Sequence, residues 1–188
     1  MSLTLLTLTG DRPHQFALCE KYVARFNARF DEWIVIDDGE IPTKCTRGQR
    51  VIRLQPGKGA ADSFQTNLHA GLSAVQSPNV VFIEDDDWYH NWYLAWVEQQ
   101  LHNHMLVGEA PSIYFNLEHR LIRNMGNRAH ASLCQTACRT NLARQALKHS
   151  RGTAFDMELW GMSVPRSLSQ TSQPFVVGMK GHLTGRKG

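Results

Sequence analysis

The segment that most restricts this chain is Phe82-Ile83-Glu84-Asp85-Asp86-Asp87-Trp88, where an apolar run meets four consecutive carboxylates. Residues 79–83 carry β-branched and aromatic side chains and no charge, the composition of a short buried strand. Four acids at the end of such a strand repel one another unless something positive sits among them. A hard divalent cation answers that need, because Mg2+ and Mn2+ take oxygen ligands and bridge carboxylates to phosphates. Most acidic runs are solvated loops. Position argues against that here, since open α/β sheets bind ligands just beyond the carboxyl ends of their strands.

The rest of the first half has the alternation that such a sheet requires. Residues 3–8 predict a buried strand ending at Thr9-Gly10-Asp11-Arg12. Phe16, Cys19, Val23, Phe26 and Phe30, at steps of three and four, predict a helix with one apolar stripe. Residues 33–36 predict a second strand ending in Asp37-Asp38-Gly39, and residues 51–54 a short one before the turn Pro56-Gly57-Lys58-Gly59. Helices are expected over 62–75 and 91–102. This order predicts an α/β fold with a mostly parallel central sheet and helices on both faces.

The second half is less regular. Strands are expected at 112–117 and 130–139, with a loop at 121–127 between them. Thr140 or Asn141 is placed to cap a helix through Lys148. A short helix is expected over 152–162, a Ser/Gln-rich loop over 165–174, a strand over 175–179 and a basic, glycine-rich, flexible tail over 180–188. No repeat or linker divides the chain, so one domain is expected.

Net charge is +3 over 188 residues, unevenly spread. Residues 1–109 hold nine Lys/Arg against fourteen Asp/Glu, a balance of −5, and residues 110–188 hold eleven against three, a balance of +8. Such asymmetry suits a second half that faces an anion: a nucleotide diphosphate, a nucleic-acid backbone or an acidic membrane surface. Cys19, Cys45, Cys134 and Cys138 show no paired metal-ligand spacing, so free thiols in a reduced cytoplasmic protein are expected. Cys134 and Cys138, four apart in one expected strand, would share a face. No apolar run is long enough to span a bilayer, and no secretory leader is read at the N-terminus.

Taken together, four motifs resemble the nucleotide-sugar glycosyltransferases of the GT-A fold, particularly the large family 2. They are Thr9-Gly10-Asp11-Arg12, Asp37-Asp38-Gly39, Ile83-Glu84-Asp85-Asp86-Asp87 and Phe155-Asp156-Met157-Glu158-Leu159. The chain departs from that pattern at Glu84, where the family usually has Asp, and at Phe155, which replaces the first acid of the last motif. Asn67 falls two residues late for the family's spacing, and no role for it or for Lys58 is carried over.

The resemblance implies a single-domain, Rossmann-like GT-A fold and a metal-dependent, inverting transfer of a sugar from a nucleotide-diphosphate donor to an acceptor hydroxyl. It implies Thr9, Arg12, Asp37, Asp38 and Asp85 as donor-binding residues, and Asp86 with Glu84 and His182 as ligands for Mn2+ or Mg2+. Asp156 would be the base that takes the acceptor proton. Without the other three motifs, Asp156 would read as a helix-start acid favoured by the dipole. The basic second half suits a polyanionic acceptor such as hydroxymethylated DNA, held mainly through phosphate contacts. Lipid- or protein-linked polysaccharide acceptors are the alternative within this chemistry. Outside it stand metal-dependent nucleotidyl transfer, which clustered Asp also serves, and an inactive sugar- or nucleic-acid-binding module.

Overall fold

A computed structural model describes residues 1–57 and 59–181. In chain order the elements are β1 (Thr4–Thr9), α1 (Pro13–Val23), β2 (Glu32–Asp37), β3 (Arg50–Arg53), α2 (Ala60–Ala74), β4 (Asn79–Phe82), β5 (Trp88–Tyr89) and α3 (Tyr93–Leu101). There follow β6 (Leu106–Glu109), β7 (Ile113–Asn116), β8 (Leu121–Asn124), a 3-10 turn (Leu133–Gln135), β9 (Thr136–Arg139), α4 (Thr140–His149), α5 (Phe155–Gly161), β10 (Arg166–Ser169) and β11 (Val176–Lys180).

Seven strands form the main sheet in the order β10-β6-β9-β4-β1-β2-β3. Only β9 runs against its neighbours, so the sheet is mixed but mostly parallel. Alternation along the central strands divides the core in two. Leu5, Trp33, Val35 and Val81 pack against Phe16, Cys19 and Val23 of α1 and Tyr93, Leu94 and Val97 of α3. Leu6, Ile34, Ile36, Val80 and Phe82 pack on the other face against Leu68 and Leu72 of α2, Leu142 of α4 and Phe155 and Leu159 of α5. Helices thus cover both faces, and the carboxyl ends of β1, β2 and β4 reach one edge together.

A second, four-stranded sheet, β5-β11-β7-β8, was not foreseen. The reason is physical. β8 is exposed at every residue, so it shows no inside–outside alternation, and 121–127 reads as loop although Leu121–Asn124 pairs with β7. The expected loop at 165–174 likewise contains β10, a polar edge strand parallel to β6. The expected strand at 130–139 is a strand only from Thr136 onward. Cys134 therefore lies in the α1/α3 side of the core and Cys138 in the other, not on one face. The first helix ends at Val23, though Phe26 and Phe30 still pack on its side of the core. Thr140 does not cap α4; its hydroxyl donates to the Ser77 carbonyl at 2.8 Å. All four cysteines are free thiols. Among the described residues, no helix is long and apolar enough to cross a membrane.

Candidate active site

Two loops meet closely at the carboxyl edge of the sheet, each with a glycine at the contact. A Cβ on Gly10 would fall 2.4 Å from Asp38 Oδ1, and one on Gly39 would fall 2.6 Å from the Asp11 backbone nitrogen. Asp11 itself sits at a φ of 55°, so the turn after β1 carries local strain where it presses on the Asp-Asp-Gly turn. Asp37 spends both carboxylate oxygens inside its own turn. Its Oδ1 accepts the Gly39 N–H at 2.9 Å; its Oδ2 accepts the Thr43 N–H at 2.6 Å and meets Arg53 Nη1 at 2.6 Å. Asp38, its neighbour, lines the cleft beyond.

The acidic turn is organised by a similar division of labour. Asp85 is buried, accepting the Thr9 hydroxyl at 2.6 Å and pairing with Arg12 at 2.9 Å. Arg12 reaches on to Asp86 at 3.1 Å, bridging the two acids. Asp87 is turned the other way, accepting the Met179 N–H at 2.7 Å from β11. Its second oxygen, buried, receives no hydrogen bond among the described residues. Ligand atoms of Glu84, Asp87 and Cys134 lie within 4.8 Å of one another around it.

Burial disfavours ionisation of these acids. It pushes the Asp85 carboxyl up to about 7 against the pull of Arg12, and the Asp87 carboxyl up to about 6 with Asp86 adding to the rise. Glu84 is raised well above the usual carboxylate range, by burial first and by Asp87 and Asp86 next. Lys180 answers them. Burial alone would lower its ammonium, but Asp87, Glu84 and Asp86 hold it up to about 12.

A cleft of about 230 Å3 opens between this edge and α2. Thr9, Arg12, Asp38, Glu84, Asp86 and Lys180 line it, so five of the acids and donor residues expected from sequence come together with a lysine. Asn67, to which the motifs assign no role, also lines it, buried and with its Oδ1 unpartnered among the described residues. Asp86 also borders a second cleft, of about 410 Å3, on the α1 side of the turn. Lys58 and His182 lie outside the described residues. Lys180, expected in the flexible tail, is instead the last residue of β11.

Asp156 is not among the residues that line either cleft; its predecessor ties the start of its helix to the acidic strand. Phe155 is wholly buried and packs edge-on against Phe82 at 5.6 Å, fixing the start of α5 to the strand that carries the acidic turn. Thr153, just before α5, lines the cleft itself. Burial raises the Asp156 carboxyl, while the Met157 N–H and the nearby His130 act in the opposite direction.

No family model and no curated protein match the chain. Solved structures do. S. aureus TarS 1–349 in complex with UDP-GlcNAc superposes with a TM-score of 0.64 at 14% identity, over 96% of this chain and 59% of that one. Mannosyltransferase PcManGT from Pyrobaculum calidifontis, in complex with GDP-Man and Mn2+, superposes with a TM-score of 0.62 at 10% identity, over 95% and 56%. The fold is GT-A. The chain spans about three-fifths of the length of these two relatives in shape. 2-C-methyl-D-erythritol 4-phosphate cytidylyltransferase from Thermus thermophilus also matches, with a TM-score of 0.60 at 14% identity, over 92% of this chain and 90% of that one.

Proposed function

We propose that this protein is a divalent-metal-dependent, inverting glycosyltransferase that moves a sugar from a nucleotide-diphosphate donor to an acceptor hydroxyl. The observation that carries the reading is the convergence of Glu84 and Asp86 with Thr9, Arg12, Asp38 and Lys180 on one cleft at the carboxyl edge of the sheet. Crowded acids whose ionisation burial disfavours are favoured as carboxylates when a divalent cation binds among them. The oxygen-rich donor set, with a buried Asp87 oxygen lacking a hydrogen bond, fits such an ion.

Asp86, with Glu84 and Asp87, would hold Mn2+ or Mg2+. A cation bound there would supply Lewis-acid neutralisation of the departing diphosphate. Thr9 and Arg12 set the turn by keeping Asp85 inward, which leaves Asp86 at the cleft wall. Asp38 faces the donor, and Asp37 holds the loop that presents it. Asp156 takes the proton from the acceptor hydroxyl as that oxygen bonds to the anomeric carbon and the carbon–phosphate oxygen bond breaks. The products are the glycosylated acceptor and the nucleoside diphosphate, and a single displacement inverts the anomeric centre.

His130 lies close to Asp156, and Arg120, Arg123, Arg128, Lys148 and Arg151 are solvent-exposed on the same half of the chain. This supports a polyanionic acceptor, for which hydroxymethylated DNA is the example with both a hydroxyl and a phosphate backbone. Activity on such an acceptor falls steeply with added salt; a flat salt response would exclude phosphate docking.

The likeness to the cytidylyltransferase favours a second reading, nucleotidyl transfer. The released product separates the two. Incubation with labelled nucleotide sugars and Mn2+ releases nucleoside diphosphate under the first reading and none under the second. Incubation with nucleoside triphosphates and sugar phosphates releases pyrophosphate only under the second.

A further inference from the structure

Lys180 is used above only as a counter-charge, yet its setting is more elaborate than that purpose requires. β11 runs parallel to β7 with Gly178 opposite Tyr114 and Lys180 opposite Asn116. A Cβ on Gly178 would fall 2.3 Å from the Tyr114 ring, so only glycine lets that ring lie across the strand. The Tyr114 hydroxyl shares a 2.9 Å hydrogen bond with Ser132, which fixes the ring's far end. Lys180 Nζ stands 5.2 Å over the ring centroid, a cation–π distance. The Met179 N–H on Asp87 ties the same strand end to the acidic turn.

The ammonium is therefore placed by a strand, a ring and a backbone hydrogen bond. It lines the cleft shared by Thr9, Arg12, Asp38 and Asp86. No described carboxylate forms an ion pair with it, so its three N–H donors are not consumed by the acids whose field it feels. Arg12, the other cation at this turn, is spent on Asp85 and Asp86.

We infer that Lys180 is a phosphate-binding residue of the donor cleft, its ammonium contacting the ligand's diphosphate directly and supporting diphosphate uptake in the absence of a divalent cation. The inference rests on the nucleotide-sugar reading and deepens it: the cleft offers the diphosphate two cations, one exchangeable and one built into β11. Lysine is a common phosphate ligand, acting as a point charge. A protein cation here also explains why a turn with four acids tolerates its own repulsion in the metal-free protein.

Calorimetric titration of UDP, GDP, ADP and CDP, in EDTA and in Mn2+, tests this with Lys180→Met and Lys180→Arg beside the parent protein. The parent is expected to bind one of these diphosphates measurably in EDTA. Lys180→Met weakens that binding by about ten- to a hundredfold, the value of a hydrogen bond to a charged group, and Lys180→Arg loses much less. Titration with Mn2+ alone gives the opposite sign. Without the ammonium's positive charge the turn repels the ion less, so Lys180→Met binds it more tightly, by about tenfold.

A merely structural lysine would weaken both ligands together as the turn collapsed, and that result overturns the inference. So does metal-free diphosphate binding unchanged in Lys180→Met. If the parent binds diphosphate only with Mn2+ and Lys180→Met does the same, the inference falls and the nucleotide-sugar reading stands. If the parent takes up no diphosphate under any condition, the nucleotide-sugar reading is the part that has failed, and the inference falls with it.

Discussion

Arg12 is where stability and chemistry are most tightly joined, and Arg12→Ala separates them by pH. The guanidinium is only 23% exposed and bridges Asp85, with a fully buried side chain, to Asp86. Removing one partner of a buried ion pair costs about 3–5 kcal/mol, because the remaining charge is left desolvated and unpaired. The variant has one escape: Asp85 can take up a proton. Relative to an unfolded chain whose Asp titrates at 3.8, holding that proton costs about 1.4 kcal/mol per pH unit above it. That is about 5.7 kcal/mol at pH 8 and about 1.6 kcal/mol at pH 5.

The two ends of the pH range therefore differ. At pH 8 the escape is closed, and Arg12→Ala is expected to lose about 3–5 kcal/mol, or roughly 6–20 °C of melting temperature for a chain of this size. At pH 5 the parent's Asp85, pushed up to about 7, is already largely protonated, so Arg12 contributes little there. The cost of that proton then falls on parent and variant alike and cancels, so the loss should shrink to a small fraction of its pH 8 value. Urea denaturation of both proteins at pH 5 and pH 8 measures it directly. An equal loss at the two pH values would refute the claim that Asp85 is the charge Arg12 restrains.

Other perturbations follow from single contacts. Asp156→Asn should lower turnover by about 10²–10⁴-fold while donor binding is retained, if the residue is the base proposed for the acceptor hydroxyl. Its raised carboxyl must lose its proton to act as a base, so the rate should climb with pH along a limb above the ordinary 3.8; a rate flat from pH 4 upward would remove Asp156 from that role. Gly39→Ala should abolish donor binding and destabilise the protein, because its Cβ meets backbone, whereas Gly10→Ala meets a movable carboxylate and should cost much less; equal thermal shifts would contradict the packing argument. Phe155→Ala should cost about 3–5 kcal/mol by urea denaturation, and Phe155→Leu should lower kcat more than donor affinity, since Phe155 fixes Asp156 without touching the donor cleft.

Some of this was legible in the sequence because burial writes itself into residue type. β1, β2 and β4 are enclosed on both faces, so their apolar runs and the polar turns that end them mark the sheet edge unambiguously. Thr9, Arg12, Asp38 and Asp86 could be placed at one edge for that reason. The second sheet could not. β8 and β10 bury little and carry Arg, Asn and Ser, which are equally common in loops. Missing that sheet meant missing why Lys180 arrives at the acidic turn: the residue looks like the start of a basic tail until β7 is seen to pair with β11. Motif position also hid a distinction that geometry draws. Asp37 and Asp38 stand side by side in the chain, yet Arg53, Gly39 and Thr43 hold the first within its loop while the second borders the cleft.

The central claim is that Asp86 and its neighbours hold a cation that holds a pyrophosphate. Calorimetric titration of nucleotide sugars, with and without Mn2+, against the parent protein and Asp86→Asn tests it most directly. Donor binding should tighten at least tenfold when Mn2+ is added to the parent and should not respond in Asp86→Asn, whose melting temperature stays near the parent's. Donor binding indifferent to Mn2+, or an equal Mn2+ response in Asp86→Asn, would contradict the account.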